Sequence, residues 1–245
     1  MNPTDEFNPG SWWRRLCEVT DRLFLCGDLP HDQGGFGRML QEWVDAGITH
    51  IVDLRGEWSD ESRVAAERPE ITYAWMGTHD NGSTQDWCWF DHGVAAITSA
   101  LANPDARVVV HCHMGVNRAP SMVFAALLAL GYDIEDGLDA IRDARPIAAI
   151  LYAEDAAAWF ANHSGWGTSW AAELQMQVRA WHATNPVDVA GAGDSLLAAL
   201  SVGLCSGATL MQSSAIGAGM ASLAVQQVGN IPVSYQKLKT YLKGI

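Results

Sequence analysis

Residues 107–121 read RVVVHCHMGVNRAPS. Cys112 ends an apolar, β-type run, and Arg118 closes a loop that has Gly115 at its midpoint. In such a loop the backbone amides from His113 to Arg118 converge on one centre and cap the helix that follows. That makes an anion site without lysine. Arg118 adds a planar fork able to hold two oxygens of a tetrahedral oxyanion, which the point charge of a lysine cannot do. A cavity of that sign favours the thiolate of Cys112, and a thiolate so placed is a nucleophile. The competing reading makes Cys112 an ordinary buried core cysteine.

The flanking sequence says what must hold the loop. RLFLCG, THIVDLR, ITYAWMG and RVVVHC read as strands. Between and after them lie helical patterns: GGFGRMLQEWVDAG, SDESRVAAER, QDWCWFDHGVAAITSALANP and APSMVFAALLALG, the last with Pro120 in its first turn. DIEDGLDAIRDARP, YAEDAAAWFANHS and WAAELQMQVRAWHA continue as helices. The alternation predicts an α/β fold with a central, mostly parallel sheet flanked by helices. In such sheets ligands sit beyond the carboxyl ends of strands, where the quoted loop lies.

Composition narrows the function classes. The chain has 245 residues, 49% hydrophobic and 18% charged, and a formal net charge of −13. That balance argues against nucleic acid and anionic membranes as partners, so positive potential for a phosphorylated ligand must be generated locally. No apolar run is long enough to span a membrane, and no secretory signal is visible at the N-terminus. The five cysteines (17, 26, 88, 112, 205) form neither a metal pattern nor an even disulfide framework, so the reading is a cytoplasmic protein with no metal and no cofactor. The charge is unevenly spread. Residues 1–184 carry 12 arginines against 26 acidic residues, whereas residues 185–245 carry three lysines against Asp188 and Asp194. That shift places a junction between residues 1–184 and a helical appendage, 185–245.

Over about residues 15–185 the chain resembles the dual-specificity (cysteine-dependent) protein phosphatase family, on the strength of the histidine, cysteine, glycine and arginine of the quoted loop between a strand and a helix. The resemblance implies a protein tyrosine phosphatase-like fold and a phosphate-binding loop of His111, Cys112, His113, Met114, Gly115, Val116, Asn117 and Arg118. It implies that Cys112 attacks phosphorus to give a phosphocysteine intermediate, that Arg118 holds the equatorial oxygens, and that His111 faces the scaffold and orients the loop. The family's general acid stands on the loop after the preceding strand, about thirty residues before the nucleophile. Asp80, in THDNGST, is 32 residues before Cys112. Asp86 and Asp91 are its rivals, Asp86 reading better as a helix N-cap. Asn81 is a candidate for shaping the loop. At one point the sequence departs from the family: Ala119 stands where a serine or threonine hydroxyl ordinarily helps the cysteine leave, and Ser121 is the nearest replacement. Slow breakdown of the phosphoenzyme follows. Arg55, in DLRGEW, reads either as flanking the site or as a solvated surface residue. The implied substrate is a phosphorylated protein or peptide, on tyrosine and on serine or threonine.

Residues 186–245, from PVDVAGAGDSLLAALSVGLC onward, resemble the C-terminal end of ribokinase-like carbohydrate kinases. Asp188, Gly191, Gly193 and Asp194 match that family's D-x-x-G-A-G-D stretch, where glycine amides form an anion hole and the last aspartate is the base. The sugar-binding lid and most of the nucleotide-binding sheet are missing, so any such site is vestigial. The tail otherwise reads as two or three amphipathic helices whose apolar faces must be buried, in a second copy of the chain if nowhere else. Three functions compete: a protein phosphatase, a phosphate-binding module with negligible turnover, and a carbohydrate kinase acting through the appendage.

Overall fold

The computed structural model describes residues 12–187, 192–226 and 232–243. Its compact units divide between Val178 and Arg179, inside a helix that runs to Thr184. The first unit holds five strands: β1 (Cys17–Thr20), β2 (Leu23–Cys26), β3 (His50–Arg55), β4 (Thr72–Thr78) and β5 (Val108–His111). They form one sheet in the order β1-β2-β5-β3-β4. β2, β5, β3 and β4 run parallel, and only β1 is antiparallel, paired to β2. The expected α/β class and mostly parallel sheet are therefore present. The sequence reading missed β1, a four-residue edge strand with no apolar alternation (CEVT) that exists because β2 supplies its hydrogen bonds.

β2 and β5 are buried at every position, as strands covered on both faces must be. Leu25, Val110 and Val52 lie in register across the three central strands. Phe24, Cys26, Ile51 and Val109 face the opposite way, into a cluster with Phe36, Met39, Leu40 and Trp43 of α1 (Gln33–Asp45) and Val64 of α2 (Glu61–Glu67). The other side is packed by α3 (Trp87–Leu101), α4 (Arg118–Ala129), α5 (Ile134–Ala144) and α6 (Ala153–His163). Local chemistry starts these helices. Asp32, Asp86 and Asp133 are N-caps, accepting from Gly35 N, Cys88 N and Asp136 N respectively. α7 (Thr168–Thr184) crosses the division between the units.

The second unit contains α8 (Ala192–Cys205), α9 (Leu210–Ala224) and α10 (Tyr235–Lys243). Thr209 and Gln212 close a reciprocal capping box at the start of α9, and α8 lies along α9. α8 is apolar in composition, yet none of its residues is buried; Leu196, Leu197, Val202 and Leu204 are exposed. Among the described residues no helix is long and apolar enough to cross a membrane.

Candidate active site

Four parallel strands end at the same edge of the sheet, and each delivers part of the site. β5 runs into Cys112 and the loop that α4 terminates at Arg118. β2 leads to Asp28, β3 to Glu57 and Trp58, and β4 to Asp80. β5 lies between β2 and β3, so the Cys112 loop is at the centre of this edge, where the strand order reverses.

The loop's shape is decided from outside it. The His113 carbonyl accepts from Asp28 N at 2.9 Å, and the Val116 carbonyl from Ala149 N at 2.8 Å. Arg145, 2% exposed, donates through Nη2 to the Met114 carbonyl (2.8 Å) and through Nε to the Gly115 carbonyl (2.6 Å). The same guanidinium is held by the carbonyls of Trp13 and Arg15 at 2.7 and 3.3 Å. In a trans peptide the N–H points opposite the preceding C=O. Four consecutive carbonyls pulled outward therefore turn the amides of Met114, Gly115, Val116 and Asn117 to the inner side. This is the cup required of an anion site. Gly115 makes the turn with φ +63°; a Cβ there would lie 2.5 Å from the Cys26 carbonyl oxygen and 2.9 Å from Arg145 Nη2, so no other residue fits.

Cys112 is 2% exposed, within electrostatic reach of Arg118. Arg118 is itself buried. Its Nη1 donates to Glu57 Oε2 (2.8 Å) and the Thr78 carbonyl (2.9 Å), and Nη2 to Glu57 Oε1 (3.0 Å). Nη1 thereby uses both its hydrogens and Nη2 one. The N–H groups left over, on Nε and Nη2, lie on one edge of the plane, and Nε is buried without a hydrogen-bond partner. That edge is the fork available to two oxyanion oxygens. Burial alone would weaken the guanidinium's hold on its proton, but Glu57, Cys112 and Asp80 reverse this and raise its pKa. Glu57 answers in kind: the bond from Arg118 holds its carboxyl below the usual carboxylate range.

Asp80 is brought to the same place. Its Oδ1 accepts from Asn117 Nδ2 at 2.7 Å and from the Tyr152 hydroxyl at 2.8 Å, while Oδ2 stands 3.6 Å from Arg118 Nε. Asn81 shapes this loop by accepting from the Ser83 amide and hydroxyl. The rivals are occupied elsewhere: Asp86 caps α3, and Asp91 accepts from Trp159 Nε1 at 2.7 Å. Ser121 is fully buried, its hydroxyl set between Asn117 Oδ1 (3.4 Å) and Tyr152 N (3.2 Å), so it is not a free substitute for the hydroxyl absent at Ala119.

His111 is fully buried, edge-on to Trp43 at 5.6 Å and 3.7 Å from Asp53 Oδ1; burial lowers its pKa and keeps the ring neutral. His113 is half-exposed on the rim, its Nδ1 3.0 Å from Asp28 Oδ2 and its ring against Trp58. Met114 is exposed. Arg55 is neither a site-flanking nor a surface residue. It is wholly buried, bound to Asp53 (2.9 and 2.7 Å) and Asp60 (2.8 Å), because a buried guanidinium needs carboxylates around it. Of the kinase-like residues, Gly193 and Asp194 fall in the first turn of α8 in the second unit, while Asp188 and Gly191 lie outside the described residues. Among the described residues no group of three or more His, Cys, Asp or Glu could hold a metal ion.

Asp28, Glu57, Arg145 and Tyr152 were not anticipated from sequence. The rule that ligands lie beyond strand carboxyl ends could have drawn attention to Asp28 and Glu57, each two residues past its strand. Nothing local distinguishes Arg145 or Tyr152.

A parallel-sheet edge carrying a cysteine, a cup of amides and a buried, carboxylate-oriented arginine is the arrangement that the resemblance to cysteine-dependent phosphatases implies. The comparisons agree. Residues 38–151 match the family model "Dual specificity phosphatase, catalytic domain". Residues 133–237 match "pfkB family carbohydrate kinase"; the two matches overlap at 133–151, which contains Arg145. The chain is 30% identical over 82 residues to dual specificity protein phosphatase 26 of Bos taurus, covering 34% of this chain and 39% of the relative. It is 49% identical over 43 residues to the PRL-1 phosphatase of Drosophila melanogaster, covering 18% of this chain and 24% of that protein. The chain thus spans well under half the length of either. The crystal structure of human DUSP28 superposes with a TM-score of 0.50 at 16% identity, covering 61% of this chain and 95% of that one, which speaks for the fold alone.

Proposed function

We propose that the chain is a protein phosphatase that hydrolyses phosphotyrosine and phosphoserine or phosphothreonine through a phosphocysteine intermediate. One observation carries this: the four outward-tied carbonyls leave the amides of residues 114–117 facing inward, beside the free Nε/Nη2 edge of Arg118. The Cys112 thiolate attacks phosphorus while the amides and the arginine hold the three equatorial oxygens. As the bridging P–O bond breaks, Asp80 gives its proton to the leaving oxygen. Water then attacks phosphorus, Asp80 takes its proton back, and the thiolate and inorganic phosphate leave. The test is turnover of p-nitrophenyl phosphate by the wild type, abolished in Cys112→Ser and strongly reduced in Asp80→Asn. Wild-type turnover that survives Cys112→Ser would overturn the reading.

Ala119 and the committed hydroxyl of Ser121 favour a second reading, a phosphate-binding module that captures phosphorylated residues and releases them slowly. A single stoichiometric burst of p-nitrophenol with almost no steady state distinguishes it. A mechanism that depends on a thiolate suits the reducing cytoplasm, the location we assign. We assign residues 1–184 to the catalytic domain and 185–245 to a kinase-derived appendage without kinase activity of its own. Two copies of the chain pair through α8: its exposed leucines belong to a nearly charge-neutral segment, where two copies meet without the repulsion that the acidic first 184 residues would bring. Sedimentation of the full chain and of Leu197→Glu checks this, a monomer in both being the contrary result.

A further inference from the structure

Around Asp80 the hydrogen bonds are lopsided. Both of its protein donors, Asn117 Nδ2 and the Tyr152 hydroxyl, go to Oδ1. Oδ2 faces Arg118 Nε at 3.6 Å, beyond hydrogen-bond distance and on the edge left open for phosphate. An oxygen that already accepts two N–H or O–H bonds has no place for a proton of its own, so a protonated Asp80 carries its hydrogen on Oδ2.

Tyr152 is built to enforce this. It is 2% exposed, and its phenol oxygen also accepts from Gly82 N at 3.2 Å, so its single hydrogen is committed to Asp80. One phenol thus grips the Asp80 loop at two points. Burial, and then the Asp80 carboxylate, push the phenol's pKa up, so it stays a donor at any working pH. The backbone that presents it is strained: Ile150, buried and β-branched, has φ +51°. The next amide, Leu151 N, donates to Asn117 Oδ1 at 2.7 Å, and Tyr152 N donates to Ser121 Oγ at 3.2 Å. Asn117, oriented by Leu151, then donates from the other side of its amide to Asp80. The strained turn at 149–152 therefore sets both donors at once.

We infer that Tyr152, with Asn117, is a positioning residue for the general acid, fixing the Asp80 carboxyl so that the proton delivered to the leaving oxygen is the one on Oδ2. The inference rests on the phosphatase reading with Asp80 as acid. In the step it serves, the Cys112 Sγ–P bond forms, the bridging P–O bond breaks with its electron pair going to oxygen, and the Oδ2 proton moves to that oxygen. The negative charge left on Asp80 falls on a carboxylate whose Oδ1 already has two donors. Tyr152→Phe keeps the ring and removes only the hydroxyl.

The experiment is kcat/KM for a series of aryl phosphates, read for wild type, Tyr152→Phe, Asp80→Asn and the double variant. This ratio reports phosphorylation of Cys112 and is blind to the later hydrolysis of the phosphocysteine. Proton donation matters most when the leaving phenol is weakly acidic. Tyr152→Phe should therefore lose about tenfold on phenyl phosphate and on a phosphotyrosine peptide, and stay within about twofold of wild type on a fluorinated umbelliferyl phosphate. In the Asp80→Asn background the Phe substitution should add no further loss. Equal losses on every leaving group, or none on any, would overturn the positioning role even with the phosphatase reading intact. Absence of Cys112-dependent turnover in the wild type would refute that reading, and the positioning role with it.

Discussion

Replacing Arg145 by methionine tests whether the anion cup is held from behind. Methionine fills much the same volume without a donor, so packing is nearly conserved and no large cavity opens. What is lost is three short bonds from a buried guanidinium, at 2.6, 2.7 and 2.8 Å to the carbonyls of Gly115, Trp13 and Met114. A hydrogen bond from a charged donor contributes about 1.5–3 kcal/mol net, which sets an upper range of roughly 5–9 kcal/mol for three. Met114 is exposed, and its carbonyl recovers water on release; Gly115 lies against Cys26 and recovers little. A loss of about 4 kcal/mol is expected, at the severe end for one substitution. Untethered carbonyls also let the amides of residues 114–117 turn away, so kcat/KM for p-nitrophenyl phosphate should fall at least about a hundredfold, as when preorganised donors are removed. Urea unfolding followed by tryptophan fluorescence gives the first quantity, and inhibition by inorganic phosphate reports the cup directly. Arg145→Lys, which keeps the charge but loses the planar fork, should fall between the two. A methionine variant within about 1 kcal/mol of wild type that binds phosphate normally would refute the tethering argument.

Glu57→Gln removes the carboxylate that orients Arg118 and should lower kcat/KM about tenfold, measured with p-nitrophenyl phosphate. Because Arg118 depresses the Glu57 pKa, its stabilisation is complete above the ordinary carboxylate range and is lost as pH falls through the lower folded value. The stability gap between wild type and Glu57→Gln should therefore hold constant above about pH 5 and close in more acidic urea titrations. Ala119→Ser restores a hydroxyl beside the loop; the burst of p-nitrophenol should shrink relative to a faster steady state in stopped-flow traces. Gly115→Ala forces a Cβ to 2.5 Å from the Cys26 carbonyl, and its phosphate affinity should be abolished while far-ultraviolet circular dichroism stays folded.

Chemistry confined to a few neighbouring residues was legible without a structure. The cysteine, glycine and arginine of the 112–118 loop, the parallel strands with their continuous apolar runs, the aspartate cap of α3 and the loop that carries Asp80 depend on contacts within one turn, strand or helix. The partners that give the loop its shape come from far along the chain: Arg145 reaches Trp13 across 132 positions, Tyr152 reaches Asp80 across 72, and Arg118 meets Glu57 across 61. Arg55 shows the same limit from the other side, since a lone arginine in DLRGEW gives no sign that Asp53, Asp60 and Tyr73 gather there and bury it. The residue order alone determined that a loop with a cysteine, a glycine and an arginine at this spacing sits at the end of a buried strand. Only the tertiary fold, by bringing four strand ends to one edge, decided which distant carboxylates, carbonyls and phenol face that loop, because sequence spacing carries no information about direction in space once the chain has crossed the sheet.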